Sequence, residues 1–284
     1  MLTTEEVQNK LDSILPGAMK EMLRIDAGRL DPLLYKQAPE LVYNIAINRW
    51  LIEDLENFAY IEEPEYSFEY RGTKGVIDLM GRIKDKPLSK TYEKYAGKKF
   101  VLDWKTSGSS VRSDNWKHDH LNSWQWRIYS AAVNADLFIY RGMTRGENDL
   151  TQAIKVIQIE VPEDNEYQVQ EHFRKTKLAM KAYENELTWP RNWPAPCRKW
   201  DGCRFYNDCF SNTSPGALVT IPSLLSYSKL SAFQDCPEKY RRLLLAGSEE
   251  IDANENTIFG NVVHAGLAYI YKEMFNVREY KNNR

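Results

Sequence analysis

The sequence predicts an α/β fold, and three observations carry that prediction. A helical apolar period runs through the first sixty residues, strand-like alternation follows it, and a helical period returns in the C-terminal third. At 284 residues the chain exceeds what one small domain needs and fits one large α/β domain. Hydrophobic residues at 43 % and charged residues at 27 % sit near the averages of folded proteins, which excludes wholesale disorder. No stretch approaches the roughly 20 apolar residues of a membrane span. The opening MLTTEEVQNKLDS is acidic and polar, unlike a secretory leader. The expectation is a cytoplasmic protein with no membrane partner.

Taken in order, VQNKLDSILPGAMKEMLRI and PELVYNIAINRWLIEDLENF place apolar residues at three- and four-residue spacing and predict helices over 1–60. EYSFEYR alternates, TKGVIDLMGRIK follows across a turn at Gly72, and KKFVLDWKTS is a short apolar run with a polar end. These predict neighbouring strands of one sheet, with a polar loop over 84–98. HLNSWQWRIYSAAVNA predicts a helix, ADLFIYRGM and AIKVIQIEV two strands, and DNEYQVQEHFRKTKLAMKAYENEL a helix capped at Asp164. WPRNWPAPCRKWDGCRFYNDCF has no period and predicts compact loop structure that needs a staple. After the linker SNTSPGALVTIPS, two segments around SKLSAFQDCPEKYRRLLLAG and NTIFGNVVHAGLAYIYKEMF predict further helices.

The net charge of −2 hides an asymmetry. Residues 1–70 carry 6 Lys/Arg against 14 Asp/Glu, whereas residues 71–127 carry 13 against 6. The second block suits an anionic ligand, and a solvated lysine-rich loop explains it equally well. Four cysteines in such a chain argue against a disulfide framework.

Chemistry concentrates on Asp78 and on Asp103-Trp104-Lys105. Asp78 lies in one strand-like run, Asp103 ends another, and Lys105 is two positions on, so in extended backbone it shares the face of Asp103. Two carboxylates from adjacent strands can hold a hard cation such as Mg²⁺. A lysine beside them can orient or help deprotonate an attacking water and offset phosphate charge. An ordinary Asp–Lys pair at a strand end is the plainer reading of D-x-K alone.

GVIDLMGRI, a spacer, FVLDWKTS, and then Gln125-x-x-x-Tyr129 resemble the PD-(D/E)XK nuclease superfamily, and within it the RecB-like exonuclease branch. The resemblance implies a restriction-endonuclease-like core with a central mixed sheet flanked by helices. It assigns Asp78, Asp103 and the Trp104 carbonyl to a Mg²⁺ or Mn²⁺ site. Lys105, Gln125 and Tyr129 become catalytic residues, and Glu65, expected on the preceding strand, a further metal ligand. Cys203-Arg-Phe-Tyr-Asn-Asp-Cys209, with Cys197 and Cys236, looks like the staple of a 4Fe–4S cluster in that branch; Zn²⁺ has the same ligand arithmetic, and free thiols are the plainer alternative. Cys197 and Cys203 stand further apart than the family's usual pair. Leu230-Ser-Ala-Phe-Gln-Asp-Cys236-Pro-Glu-Lys-Tyr240 and Phe259-Gly260-Asn-Val-Val-His264 match segments that open the family's chains and here come last. His264 is thereby implied as a metal ligand, and the order reads as a circular permutation or a site completed by a swapped neighbour in a homo-oligomer.

The expected organisation is a helical part at 1–60, a nuclease core at 61–190 and a cysteine-bearing helical flank at 191–284, together one permuted domain. The expected function is a Mg²⁺- or Mn²⁺-dependent deoxyribonuclease acting at single- or double-stranded DNA ends. A catalytically silent nucleic-acid-binding subunit is the alternative. Trp116, Trp124 and Trp126 are candidates to stack on bases, with core packing the competing role for two of them.

Overall fold

The computed structural model describes residues 4–26, 28–43, 50–145, 153–187, 189–192, 203, 205–210, 218–246, 255–275 and 277–278. It divides into two units, one of residues 1–68, 76–165 and 253–284, the other of 69–75 and 166–252. No helix among the described residues is long and apolar enough to cross a membrane.

The first unit opens with the helices α1 (Thr4–Asp26), α2 (Pro32–Leu41) and α3 (Ile52–Asn57). Asp31 caps α2, its carboxylate accepting from the Leu33 N–H at 2.8 Å, with Pro32 at the first helical position. The helical run expected to residue 60 stops at Asn57, and Phe58–Glu62 forms β1 instead. The reason is the sheet beside it: Phe58 and Ile61 bury in the core while β1 pairs antiparallel with β4 (Leu79–Ile83). Tertiary pairing overrides the local period there.

The expected single run TKGVIDLMGRIK breaks at Asp78. β3 (Thr73–Ile77) belongs to one sheet and β4 to another. The polar loop over 84–98 carries one short helix, α4 (Lys90–Glu93). β5 (Lys99–Ser107), β6 (Leu137–Thr144) and β7 (Ile154–Glu160) fall where the sequence places strands. Together with β9 (Val277–Arg278) they make a six-stranded mixed sheet of order β7-β6-β5-β4-β1-β9. β5–β6 and β1–β9 pair parallel, the other neighbours antiparallel.

The expected helix over 120–135 is divided into α5 (Asp114–Leu121) and α6 (Trp124–Val133). Two serines write these boundaries. Ser113 accepts from the Trp116 N–H at 3.2 Å and Ser123 from the Gln125 N–H at 3.1 Å. The last helix of this unit is α11 (Glu255–Met274), which packs on α1 and on β5. Along β5, Trp104 meets Tyr271 of α11 (ring centroids 5.3 Å apart) while Asp103 meets Gln125 of α6. Consecutive strand residues point to opposite faces, so the sheet has helices on both sides.

In the second unit, β2 (Tyr66–Tyr70) reaches in from the first, and Arg71 and Gly72 turn the chain into β3 with φ values of 51° and 76°. Two consecutive positive φ values fit a two-residue hairpin turn of the primed kind. A two-residue strand, β8 (Leu225–Ser226), pairs parallel with β3. The helices are α7 (Asn165–Tyr183), α8 (Tyr206–Phe210), α9 (Tyr227–Asp235) and α10 (Pro237–Leu245). Trp189, Phe233 and Tyr240 pack together, and the buried Glu238 carboxylate accepts from Arg241, Arg242 and the Trp189 N–H.

Candidate active site

β4 pairs with β5 only from Lys99 to Leu102, because the chain departs from the sheet at Asp78. Residues 103–107 therefore have β6 on one side and, among the described residues, no ladder partner on the other. The Trp104 N–H donates instead to Asp78 Oδ2 at 2.7 Å. The same break lets the Asp78 carbonyl accept from the Glu65 N–H at 3.0 Å. Glu65 lies in the turn just before β2, not on a strand as expected, and its φ of 56° is left-handed. A non-glycine residue held in that region carries a backbone cost, and such residues concentrate at functional sites.

The structure brings Glu65, Asp78 and His264 together, with one ligand atom of each within 4.8 Å of the others. His264 Nδ1 is 3.6 Å from Asp78 Oδ1, and the His264 ring donates to the Trp104 carbonyl. The C-terminal helix α11 thus delivers its histidine to the carboxylates of the same chain. Asp103 stands beside this group with both oxygens engaged. Oδ1 accepts from Gln125 Nε2 at 2.9 Å, and Oδ2 is 2.6 Å from Lys105 Nζ. Tyr129, one turn on from Gln125, hydrogen-bonds to it and packs edge-on against Phe68. All seven side chains predicted to matter here, Glu65, Asp78, Asp103, Lys105, Gln125, Tyr129 and His264, converge within the first unit.

The electrostatics show what this cluster lacks. Burial pushes the Asp78 carboxyl up to about 6, against the pull of Lys105 and the Trp104 N–H. Burial also raises Asp103 to about 6, Lys105 opposing and Asp78 reinforcing. Glu65 is pushed up to about 8, by loss of hydration at its carboxyl first and then by the charges of Asp78 and Asp103. Burial opposes the charge of Lys105, but Asp103 and Asp78 outweigh it, so its pKa is raised and it stays an ammonium. Burial and Lys105 push His264 down to about 4, leaving a neutral imidazole. Three crowded carboxyls face one ammonium. A cation is what such a set is short of, and carboxylate oxygens with one neutral imidazole suit Mg²⁺ or Mn²⁺. The cluster opens into a cleft of about 740 Å³ lined by Glu65 and His264 together with Arg24 of α1 and Arg29 just beyond it.

His120 escaped the sequence reading. Gly142 lies directly opposite Lys105 on β6, and Tyr140 opposite Asp103. Trp116 of α5 sits on Gly142, where a Cβ would fall 2.6 Å from the indole, and His120 stacks on Trp116 at 4.1 Å. The His120 ring also meets Tyr140 edge-on at 4.9 Å, so it stands over the strand beside Asp103 and Lys105. Its Nδ1 donates to the Trp116 carbonyl at 2.7 Å, and burial lowers its pKa. The only signal in the sequence was a histidine four residues after a tryptophan.

Of the three tryptophans, Trp116 and Trp126 are buried and Trp124 is half-buried with the Arg127 guanidinium over its ring. Part of the basic block is spent on structure away from the site. Lys84 caps the carbonyls of Leu55 and Glu56, Lys99 reaches the Val133 carbonyl, and Lys98 pairs with Glu160. Among the cysteines, Cys203, Cys209 and Cys236 are free thiols in the second unit, the last two buried. They join no metal-holding group among the described residues, and Cys197 lies outside those residues. The 4Fe–4S cluster and the zinc alternative therefore draw no support from the described thiols.

Fold and site define the class: an α/β protein whose mixed sheet, flanked by helices, is consistent with a PD-(D/E)XK nuclease-like core. The family model of the PD-(D/E)XK nuclease superfamily matches residues 224–283, the segment that carries Cys236 and His264. A solved structure titled "Crystal structure of SSO0001" is similar to this chain at 20 % identity, over 56 % of this chain and 61 % of its own, with a TM-score of 0.28. The chain thus spans about three fifths of that structure's length. No curated protein matches the chain.

Proposed function

We propose that this protein is a metal-dependent deoxyribonuclease that hydrolyses phosphodiester bonds at DNA ends. The observation that carries the reading is the shortage of positive charge at Glu65, Asp78 and Asp103 immediately beside a protonated Lys105. Glu65, Asp78 and His264 would hold Mg²⁺ or Mn²⁺, with Asp103 and the Trp104 carbonyl at its side. The ion supplies Lewis-acid stabilisation of charge developing on the phosphoryl oxygens and lowers the pKa of water bound there.

The chain's own residues do the rest. Lys105 is a donor with three N–H groups, so it orients the attacking water and bonds the phosphoryl oxygen as negative charge builds. Asp103 holds that ammonium in place at 2.6 Å, and Gln125 fixes the Asp103 carboxylate from its other oxygen at 2.9 Å. Tyr129 fixes Gln125 in turn. Burial of Asp78 and Asp103 strengthens each of these interactions relative to open water.

The test is a cleavage assay with end-labelled linear and closed circular DNA, with Mg²⁺, with Mn²⁺ and with a chelator. The expected result is loss of linear DNA only when the metal is present. Cleavage of circles at an equal rate would replace the end-directed activity with an endonuclease, and no cleavage of any DNA would overturn the nuclease reading.

A further inference from the structure

We propose that Arg145, with the Thr106 hydroxyl and the turn at Ser107–Gly108, forms a second anion subsite that takes a phosphodiester neighbouring the scissile one; this rests on the nuclease reading above.

Arg145 is the first residue after β6, and its N–H donates to the Ser107 carbonyl at 2.8 Å, so it continues the ladder beside the residues that follow Lys105. Its guanidinium lies over the Phe259 ring at 5.4 Å from the centroid. Thr106, Ser107, Gly108, Arg145 and Phe259 together line a small open pocket of about 20 Å³, room for one water-sized group such as a single phosphoryl oxygen.

No carboxylate among the described residues pairs with Arg145, whereas Arg24, Arg71, Arg141, Arg174, Arg241 and Arg242 each have one. Among the described residues this half-buried guanidinium has the Phe259 ring but no anion, so part of its lost hydration is unanswered. Its fork matches a phosphate bidentately. Gly108 lies beside the guanidinium: a Cβ there would be in ordinary contact with Arg145 Nη2, at 3.5 Å. Thr106 presents its Oγ1 close to α11, 3.1 Å from where a Cβ of Gly260 would be. Ser107 Oγ accepts from the Ser109 N–H at 3.2 Å, which holds the turn in shape.

The position relative to the metal-ligand group gives the subsite its meaning. Thr106 is the residue after Lys105, and Gly260 is one helical turn before His264 on the same face of α11. Phe259 and His264 are five residues apart, about 7.5 Å along the helix axis. Thr106 faces α11, the helix whose His264 reaches Asp78, so a strand bound at that group can set a neighbouring phosphate on Arg145.

The experiment measures equilibrium binding of a single-stranded oligonucleotide over a range of salt, with Ca²⁺ in place of Mg²⁺, followed by steady-state cleavage in Mg²⁺. Arg145→Met keeps the stem on Phe259 and removes the charge; Arg145→Lys keeps the charge and removes the fork. The expected result for Arg145→Met is about tenfold weaker binding, a salt slope shallower by about 0.7, and a raised KM with kcat nearly unchanged. Arg145→Lys recovers the salt slope but only part of the affinity. Wild-type affinity and slope in Arg145→Met would overturn the subsite while leaving the nuclease reading intact. So would a loss that tracks thermal stability with no change of slope, which assigns Arg145 to packing on Phe259. A wild-type protein that neither binds nor cuts DNA would overturn both readings.

Discussion

Two clusters of buried charge share the six-stranded sheet, and they are built to opposite ends. Around Arg141 every charge is answered. The Asp54 carboxylate accepts from both Arg141 terminal nitrogens, at 2.5 and 2.6 Å, and from the Tyr271 hydroxyl at 2.6 Å. Tyr92 closes the group from α4, its hydroxyl 3.3 Å from Arg141 Nη2. Around Lys105 the balance fails: Glu65, Asp78 and Asp103 share one ammonium, and all three carboxyls are pushed up in pKa. The first cluster balances its charges with protein atoms alone, leaving only the buried Arg141 Nε of this guanidinium without a hydrogen-bond partner among the described residues, and it links α3, β6 and α11. The second sets three crowded carboxyls against one ammonium. Asp54 of the first cluster and Asp78 and Asp103 of the second are all buried, so burial alone does not mark a site; charge imbalance does.

The largest expected effect breaks the closed cluster. Arg141→Met leaves the Asp54 carboxylate buried and unpaired, and should cost about 3–5 kcal/mol in denaturant unfolding. Adding Asp54→Leu to that variant should recover much of the loss. If the single variant unfolds no more easily than wild type, the contrast between the two clusters collapses.

Next comes the open cluster. Lys105→Ala should lower cleavage by about 10²–10³-fold while leaving DNA binding within a few-fold. It should also destabilise the metal-free protein, because the buried Asp103 loses its ammonium partner. A rate within threefold of wild type would remove Lys105 from the mechanism.

The third prediction tests the imbalance directly. In the metal-free protein the raised carboxyls hold their protons more tightly folded than unfolded. Their contribution to stability is full below the ordinary carboxylate range, and is lost as pH rises through about 6 for Asp78 and Asp103 and about 8 for Glu65. His264, pushed down to about 4, acts the other way, losing stability as pH falls below its ordinary 6.5. Between pH 6.5 and 8 Glu65 is therefore the member of this cluster that matters most. Metal-free Tm should fall across that window, and Glu65→Gln should flatten the fall. At one fixed Mn²⁺ concentration the gain in stability should be larger at pH 8 than at pH 6.5, reaching about 2.7 kcal/mol where that concentration is a hundred times Kd. Equal gains at both pH values would speak against ionised carboxylates as the ligands.

The smallest effect concerns the wall opposite Lys105. Gly142→Ala would set a Cβ 2.6 Å from the Trp116 indole and 3.1 Å from the Val111 side chain. The expected cost is about 1–3 kcal/mol, with a fall in cleavage as α5 and His120 are pushed off the sheet. Unchanged stability and activity would show that α5 gives way without moving the site.

Much of this was legible in the chain, for reasons that differ by residue. Asp103 and Lys105 could be paired on one face because a strand alternates, and Gln125 and Tyr129 because a helix repeats every turn. Glu65 was found but misplaced, since a left-handed residue with a side chain leaves no compositional trace. β1 was missed because its apolar spacing continues that of the preceding helices and only β4 makes it a strand. His120 was missed because its place over Asp103 depends on Gly142 being bare and on Trp116 filling that space.

The sequence by itself determined the elements whose reasons are local. Alternation made β5 and β6, serine caps opened α5 and α6, a primed turn formed at Arg71–Gly72, and the D-x-K spacing put a carboxylate and an ammonium on one face. Tertiary structure decided what depends on distant parts of the chain meeting. It broke the strand at Asp78, so that the Trp104 N–H turned to a carboxylate rather than to a ladder partner. It brought α11 back so that His264 stands beside residues some 190 positions away in sequence. It also chose which buried carboxylate received an arginine and which was left for a cation. Local periodicity follows from backbone geometry and can be read along the chain, whereas charge balance is a property of a place and exists only once the chain has folded around it.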